Sequence, residues 1–107
     1  MQYKYEVKYE ASYHIWSFYR NVARKYRHTF VTEDIVANAR RAIRAMNQIE
    51  KTLLRRKPTI RRWQNYHMAH SGHWYYAYTI DGDTITIHDA CHERNMHEDD
   101  LREIKYM

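Results

Sequence analysis

The 107-residue chain contains few of the residues that interrupt regular structure or cross-link a chain: one proline, two glycines and one cysteine. Few breakers predict regular elements joined by short turns and exclude low-complexity or collagen-like classes. The single Cys91 cannot form an intrachain disulfide, which suits a reducing compartment. There is no signal-peptide pattern and no apolar run near the roughly 18 residues of a membrane span. We therefore expect a cytoplasmic protein with no membrane partner.

Aromatic residues are plentiful by contrast, with eleven Tyr, three Trp and two Phe. A chain of this length corresponds to one domain, which we place at residues 1–107, and a domain this small needs an efficient core. Large aromatic side chains supply buried area, and Tyr and Trp keep a polar end for rims and clefts.

Charge is unevenly distributed, although the net charge is only +5. Residues 20–62 hold thirteen Lys or Arg against three acidic residues, and residues 81–107 hold three against eight. A basic helical surface can neutralise several phosphates, which supplies most non-specific affinity for nucleic acid. The alternative for the basic stretch is a solvated helix surface without a partner, because Lys and Arg are common helix formers.

The N-terminal half predicts a strand and two helices. Residues 2–10 alternate apolar and charged side chains, which is the period of a half-buried strand. Apolar residues then recur every three or four positions over 11–28, as in an amphipathic helix. Thr32, followed by two acidic residues, predicts the start of a second helix whose apolar stripe continues to near Pro58. The two helices should form an antiparallel hairpin.

The C-terminal half predicts an antiparallel β-meander with strands at 63–69, 73–80 and 84–90, followed by a short acidic segment. Asp81-Gly82 lies between the last two strands and is a strong hairpin signal. The fold class is therefore α+β: an N-terminal strand, an antiparallel helical hairpin, an antiparallel meander and a short C-terminal segment.

A two-residue turn at Asp81-Gly82 predicts the register of the meander. Ile80 then faces Asp83, and the core face carries Tyr76, Tyr78, Ile85 and Ile87. A three-residue loop at 70–72 would add Met68 beside Trp74 on the same face. The opposite face would carry a row of three neighbouring rings: His67, Tyr75 and His88.

Histidine is the most distinctive candidate for chemistry, since six of the eight lie between residues 67 and 97. Imidazoles suit general acid and base catalysis near neutral pH, and arginine can stabilise charge that develops on a phosphate. Residues 87–97 contain both side-chain types. The same groups are those that metal-free phosphodiester cleavage requires.

Other interpretations of these residues remain open or are disfavoured. His67, His70 and His73 alternate faces on strands and match no compact zinc motif, so we expect no metal. Cys91 directly precedes His92, which is too close for an ordinary nucleophile and base pair. His88 could simply hydrogen-bond across the sheet, and the helical histidines His14 and His28 are expected to be ordinary surface residues.

The order of elements and the C-terminal half together resemble the RelE/ParE superfamily of toxins from toxin-antitoxin systems. Sequences of that family commonly contain, in order, a strand that begins with Tyr, a glycine, an aromatic strand, an acidic turn and an apolar strand that ends in His-Arg or Lys-Arg. The corresponding segments here are 66–78, 81–83 and 91–97. Two positions depart from the pattern: Tyr75 stands where many members carry Arg, and His97 replaces the usual aromatic residue.

The resemblance, with the RelE-like branch favoured, implies a metal-independent endoribonuclease that cuts ribosome-bound mRNA and needs no cofactor. By position, it implies a catalytic set of His92, Arg94 and His97. It also implies that Arg61 and Arg62 face RNA, alongside the predicted row of His67, Tyr75 and His88.

Two alternatives accompany this prediction: a ParE-like protein that inhibits DNA gyrase by binding alone, and an RNA-binding homologue without toxicity. The resemblance also implies a cognate acidic antitoxin. We expect it to cover the basic helical hairpin through the arginines Arg40, Arg41, Arg44, Arg55 and Arg56, with an affinity that falls as salt rises.

Overall fold

The computed structural model describes residues 3–26, 32–51 and 57–96. Strand β1 (Lys4–Val7) precedes helices α1 (Tyr9–Lys25) and α2 (Thr32–Ala45), and the meander follows as β2 (His67–Ser71), β3 (Trp74–Asp81) and β4 (Thr84–His92). Short 3₁₀ helices occupy Met46–Lys51, Arg61–Trp63 and Glu93–Asn95. The predicted α+β order is confirmed. His28, Arg55, Arg56, His97 and the predicted C-terminal segment lie outside the described residues.

The four strands form one mixed sheet in the order β1-β4-β3-β2. The β2–β3 and β3–β4 pairs are antiparallel, as the meander predicts, whereas β1 lies parallel to β4 with Lys4 opposite Thr84 and Val7 opposite Ile87. Parallel pairing requires a long crossover, which the helices and the meander supply. The parallel pairing of β1 with β4 places the start of α1 over β4.

The main core lies between the two helices and one face of the sheet. The predicted quartet of Tyr76, Tyr78, Ile85 and Ile87 is fully buried there, so this prediction is confirmed. The Tyr76 hydroxyl donates a 2.8 Å hydrogen bond to the carbonyl oxygen of Ala42 in α2. Burial raises the pKa of Tyr76, which keeps the hydroxyl protonated as a donor.

Both hairpin turns are led by a glycine with positive φ, Gly72 at 60° and Gly82 at 61°. Glycine adopts this conformation without the steric cost that other residues incur. The turn residues are therefore Gly82 and Asp83, so the predicted Asp81-Gly82 turn is wrong by one position and Asp81 pairs with Thr84. From the turn as far as Tyr78, this error moves each cross-strand partner by two residues, which preserves the faces and explains why the buried quartet is still correct.

The observed pairing of β2 with β3 is shifted from the predicted pairing by an odd number of residues. This shift has a larger effect, because it exchanges the two faces of the strand. A two-residue turn at Gly72 and His73 replaces the predicted three-residue loop, and Met68 pairs with Ala77 rather than lying beside Trp74. Met68 therefore packs on the sheet face away from the helices. His67 changes face in the same way and lies opposite Tyr78.

A β-bulge in β4 further separates the predicted row of rings. Tyr78 pairs with Ile87 and Ala77 with Asp89, so His88 is the extra residue between them. Tyr75 lies between His70 and Cys91, while His88 hydrogen-bonds to Thr79. The prediction of a continuous row of His67, Tyr75 and His88 is therefore wrong.

A second, smaller core covers the sheet face away from the helices. The chain after Pro58 does not form a strand from residue 63; it forms a 3₁₀ helix that buries Trp63 against the sheet. The buried members of this core are Ile60, Trp63, Met68, Ala77, Cys91 and Met96. Across the described ranges, no helix is long and apolar enough to cross a membrane.

Candidate functional site

Asp89 joins three parts of the fold at the edge of the sheet. Its Oδ1 lies 2.6 Å from His14 Nδ1 of α1, and its Oδ2 accepts a 2.9 Å hydrogen bond from Trp63 Nε1. The backbone N–H of Ala90 also donates to Oδ1, and Arg62 Nε lies 3.8 Å from Oδ2. The Asp89 side chain is only 18% exposed, so these partners hold the carboxylate in one orientation.

The position of Asp89 follows from the end of β1 and the bulge in β4. β1 stops at Val7 opposite Ile87, and α1 begins two residues later, so beyond Ile87 β4 pairs only with β3 and runs beneath the first turns of α1. The bulge at His88 shifts the alternation of the following residues, which turns Ala90 toward the helices. Asp89 is left at the free edge, between α1 and the 3₁₀ helix that carries Trp63.

His14 and Asp89 form a pair in which the carboxylate orients the imidazole. A carboxylate only accepts hydrogen bonds, so the proton of neutral His14 lies on Nδ1 and the lone pair lies on Nε2. The ring is about half exposed, at 49% for the side chain. An imidazole with a carboxylate on one nitrogen and an accessible lone pair on the other is the arrangement of a general base.

The His14–Asp89 pair lines a groove of about 430 Å³, which we call the α1–β4 groove. Its polar lining consists of His14, Ser17, Asn21, Arg62, Asp89, His92 and Asn95. The Arg62 side chain is 45% exposed, so its guanidinium can meet both Asp89 and a ligand. The groove therefore combines a base, a cation and neutral hydrogen-bonding groups.

His92, a predicted catalytic residue, forms one wall of this groove. Its ring stacks on Phe18 of α1, with centroids 4.0 Å apart and planes 11° apart. Its Nδ1 accepts a 3.2 Å hydrogen bond from the backbone N–H of Arg94, so the proton of the neutral ring lies on Nε2. In this arrangement His92 is a hydrogen-bond donor rather than a base, because the lone pair is already occupied.

The pKa of His92 is lowered chiefly because the ring is buried. The nearby His73 and Arg94 lower this pKa as well, and Glu93 opposes them in part. Glu93 accepts a 2.8 Å hydrogen bond from His73 Nδ1, and this bond is the main reason that the pKa of Glu93 lies below its usual value. The neutral form of His92 is thus favoured in the folded protein.

We expect the free energy of unfolding to fall as pH drops below about 6.5, the ordinary histidine pKa. The unfolded chain then binds protons that folded His92 and His88 resist, since burial lowers the pKa of both. Each imidazole can contribute at most about 1.4 kcal/mol per pH unit. Urea unfolding between pH 7.5 and 5 measures this slope. His92→Phe, which retains a ring against Phe18, should flatten it, and an unchanged slope would contradict the assignment.

Arg94, the second predicted catalytic residue, lies on the other side of His92. It lines a separate groove of about 610 Å³ between α1, α2 and the end of β4, which we call the hairpin groove. Arg41 and His73 share this groove. The structure therefore brings His92 together with both Arg62 and Arg94, but in two different grooves.

The other predicted RNA-contacting residues do not converge on the α1–β4 groove. Arg61 is exposed on the 3₁₀ helix beside Arg62. Tyr75 stacks on His70 with ring centroids 4.4 Å apart, and His88 stacks on Tyr66 at 4.7 Å. His67 lies on the helix-facing side of the sheet, where its ring contacts Tyr78. Of this set, only Arg62 lines the same groove as His92.

No metal centre is apparent in residues 3–26, 32–51 and 57–96, where no cluster of three or more His, Cys, Asp or Glu side chains could hold an ion. No family model, curated protein or solved structure matches the chain.

Sequence reasoning overlooked His14 and Asp89, the pair at the centre of the site. The sequence predicts His14 to be an ordinary residue on a helix surface, and Asp89 is one acidic residue in a His-rich stretch. They lie 75 positions apart in sequence, so no local spacing indicates their contact. The available signal was indirect: His14, Ser17 and Asn21 recur at three- and four-residue steps along one side of α1, which marks a polar stripe beside the core.

Proposed function

We propose that the protein is a metal-independent endoribonuclease, a toxin of the RelE-like kind that cuts mRNA on the ribosome. The observation that carries this proposal is the 2.6 Å contact between His14 and Asp89 in a groove that also contains Arg62. A carboxylate-oriented imidazole supplies the base, and the guanidinium supplies positive charge beside a phosphate. RNA carries its own nucleophile, the 2′-hydroxyl, so neither a metal nor an enzyme nucleophile is needed.

In the proposed reaction, His14 Nε2 removes the proton of the ribose 2′-hydroxyl. The 2′-oxygen forms a bond to phosphorus, the bond from phosphorus to the 5′-oxygen breaks, and a 2′,3′-cyclic phosphate results. Arg62 and the Nε2–H of His92 stabilise negative charge on the phosphate oxygens as this charge grows in the transition state. Asp89 stabilises the imidazolium that His14 becomes.

The leaving 5′-oxygen requires a proton. Protonated His14 can return the proton that it has taken, and His97 remains the sequence-based candidate for a separate acid. Arg94 remains a candidate phosphate contact through the hairpin groove, which His92 joins to the α1–β4 groove.

We also propose an acidic antitoxin as the physiological partner. Arg40, Arg41 and Arg44 are exposed along α2 and present positive charge on the helical hairpin. An acidic partner on this surface would be attracted by the complementary charge and released as salt rises.

Incubation of the purified protein with ribosome-bound mRNA in the presence of a chelator tests the proposed function. We expect cleavage, with 2′,3′-cyclic phosphate ends identified by sensitivity to a cyclic phosphodiesterase. Induction of the protein in cells, with mRNA integrity and DNA damage measured side by side, distinguishes the nuclease from the main alternative, a gyrase-binding toxin. Intact mRNA with damaged DNA would refute the nuclease and favour a gyrase-binding toxin. Intact mRNA and intact DNA would refute toxicity of either kind.

A further inference from the structure

The outward face of α1 carries three exposed aromatic side chains that pack into neither core. Tyr9 is 75% exposed, Tyr13 46% and Trp16 37%. Steps of four and three residues place them on one face of the helix, opposite the side that buries Ala11 and Ile15. Large rings left in water on one face mark a binding surface more often than isolated exposed residues do.

Two of the three rings form a stacked pair beside the α1–β4 groove. Tyr9 and Tyr13 stack with centroids 5.8 Å apart and an angle of 26° between their planes. The Tyr13 ring in turn lies 5.9 Å from the ring of His14, the proposed general base. The stripe therefore adjoins His14, which lines the α1–β4 groove.

Positive charge accompanies the aromatic stripe. Arg20 lies one helical turn beyond Trp16 on the same face, Arg24 one turn beyond Arg20, and Lys8 precedes Tyr9; all three are exposed. Aromatic rings interspersed with cations match the alternation of bases and phosphates in a single strand of nucleic acid. An apolar protein partner would not need these cations.

We propose that Tyr9, Tyr13 and Trp16 form a stacking platform for unpaired bases of RNA next to the cleavage position. This assignment of the ligand rests on the proposed function. Stacking is available to every base and is hidden within a duplex, so the platform selects single strands with little preference for sequence. Arg20 contacts the phosphate backbone of the same strand.

Binding of a single-stranded deoxythymidine oligonucleotide tests the platform independently of cleavage, since this probe lacks the 2′-hydroxyl. Trp16 is the most exposed of the three tryptophans, at 37% against 1% for Trp63 and 3% for Trp74, so quenching of tryptophan fluorescence reports mainly on Trp16. We expect Tyr13→Ala and Tyr9→Ala each to weaken binding by roughly tenfold. Tyr13→Phe keeps the ring and should bind like wild type. Arg20→Ala should reduce the salt dependence by about one phosphate contact.

Equal binding of the oligonucleotide by wild type and Tyr13→Ala would overturn the platform. Sedimentation analysis provides a second check: self-association that Tyr9→Ala abolishes would assign this face to a second copy of the chain instead. Failure of the proposed function is a separate outcome. RNA cleavage with a KM unaffected by Tyr13→Ala refutes only the platform, whereas oligonucleotide binding without RNA cleavage by wild type refutes only the nuclease.

Discussion

Replacement of His14 by alanine is expected to lower the single-turnover rate of RNA cleavage by about 10² to 10⁴, the usual contribution of a positioned acid-base group. The change removes the imidazole that Asp89 orients at 2.6 Å. It should leave the fold intact because the side chain is about half exposed and belongs to neither core. Single-turnover kinetics with excess protein measures the chemical step directly, and circular dichroism checks the fold.

Two companion variants make the His14 test specific. His70→Ala removes a histidine outside the α1–β4 groove and should cleave RNA at the wild-type rate. Asp89→Asn removes the carboxylate charge beside His14, so it should lower the rate of RNA cleavage as well. A His14→Ala protein that cleaves as fast as wild type would remove His14 from the mechanism.

Replacement of Trp63 by alanine is expected to destabilise the protein by about 3 to 5 kcal/mol, the usual loss for a large buried aromatic residue. Trp63 is 1% exposed in the second core and donates a hydrogen bond to Asp89. The loss is a large share of a typical domain stability of about 5 to 15 kcal/mol. Chemical denaturation followed by far-ultraviolet circular dichroism measures it.

Two other tryptophan variants separate packing from the hydrogen bond. Trp16→Ala alters a ring that is 37% exposed and belongs to neither core, so it should lower the free energy of unfolding far less than Trp63→Ala does. Trp63→Phe keeps much of the buried area and removes the Nε1 donor to Asp89. We expect it to lower the rate of RNA cleavage clearly while changing the free energy of unfolding only slightly. Equal stability losses for Trp63→Ala and Trp16→Ala would show that the second core contributes little.

The elements of the fold were largely predictable because their signals are local. Alternating apolar residues predict β1 and the later strands, and three- and four-residue spacing predicts α1. The buried quartet of Tyr76, Tyr78, Ile85 and Ile87 was correct despite the wrong turn position, since a shift of two residues preserves strand faces. The β2 register was not predictable in this way, because one residue of loop length reverses every side chain.

The bulge at His88 and the second core have weaker sequence signals. A bulge adds one residue without changing composition, and it decides which side chains of 89–92 face the helices. Residues 61–63 contain a tryptophan at the start of a predicted strand, yet they form a 3₁₀ helix under the sheet. Packing against Met68 and Ala77 decides that conformation, and the predicted register placed Met68 on the opposite face of the sheet.

The sequence by itself determined the strand and helix types, the buried face of the central hairpin and the concentration of histidine and arginine in this protein. These properties depend on residues that are near one another in the chain. Only the tertiary structure decided the site, because His14 and Asp89 are 75 positions apart. They meet because β1 pairs in parallel with β4 and ends at Val7, so that α1 begins above the free edge of β4. That contact depends on long-range strand pairing and a bulge, neither of which leaves a periodic signal in sequence.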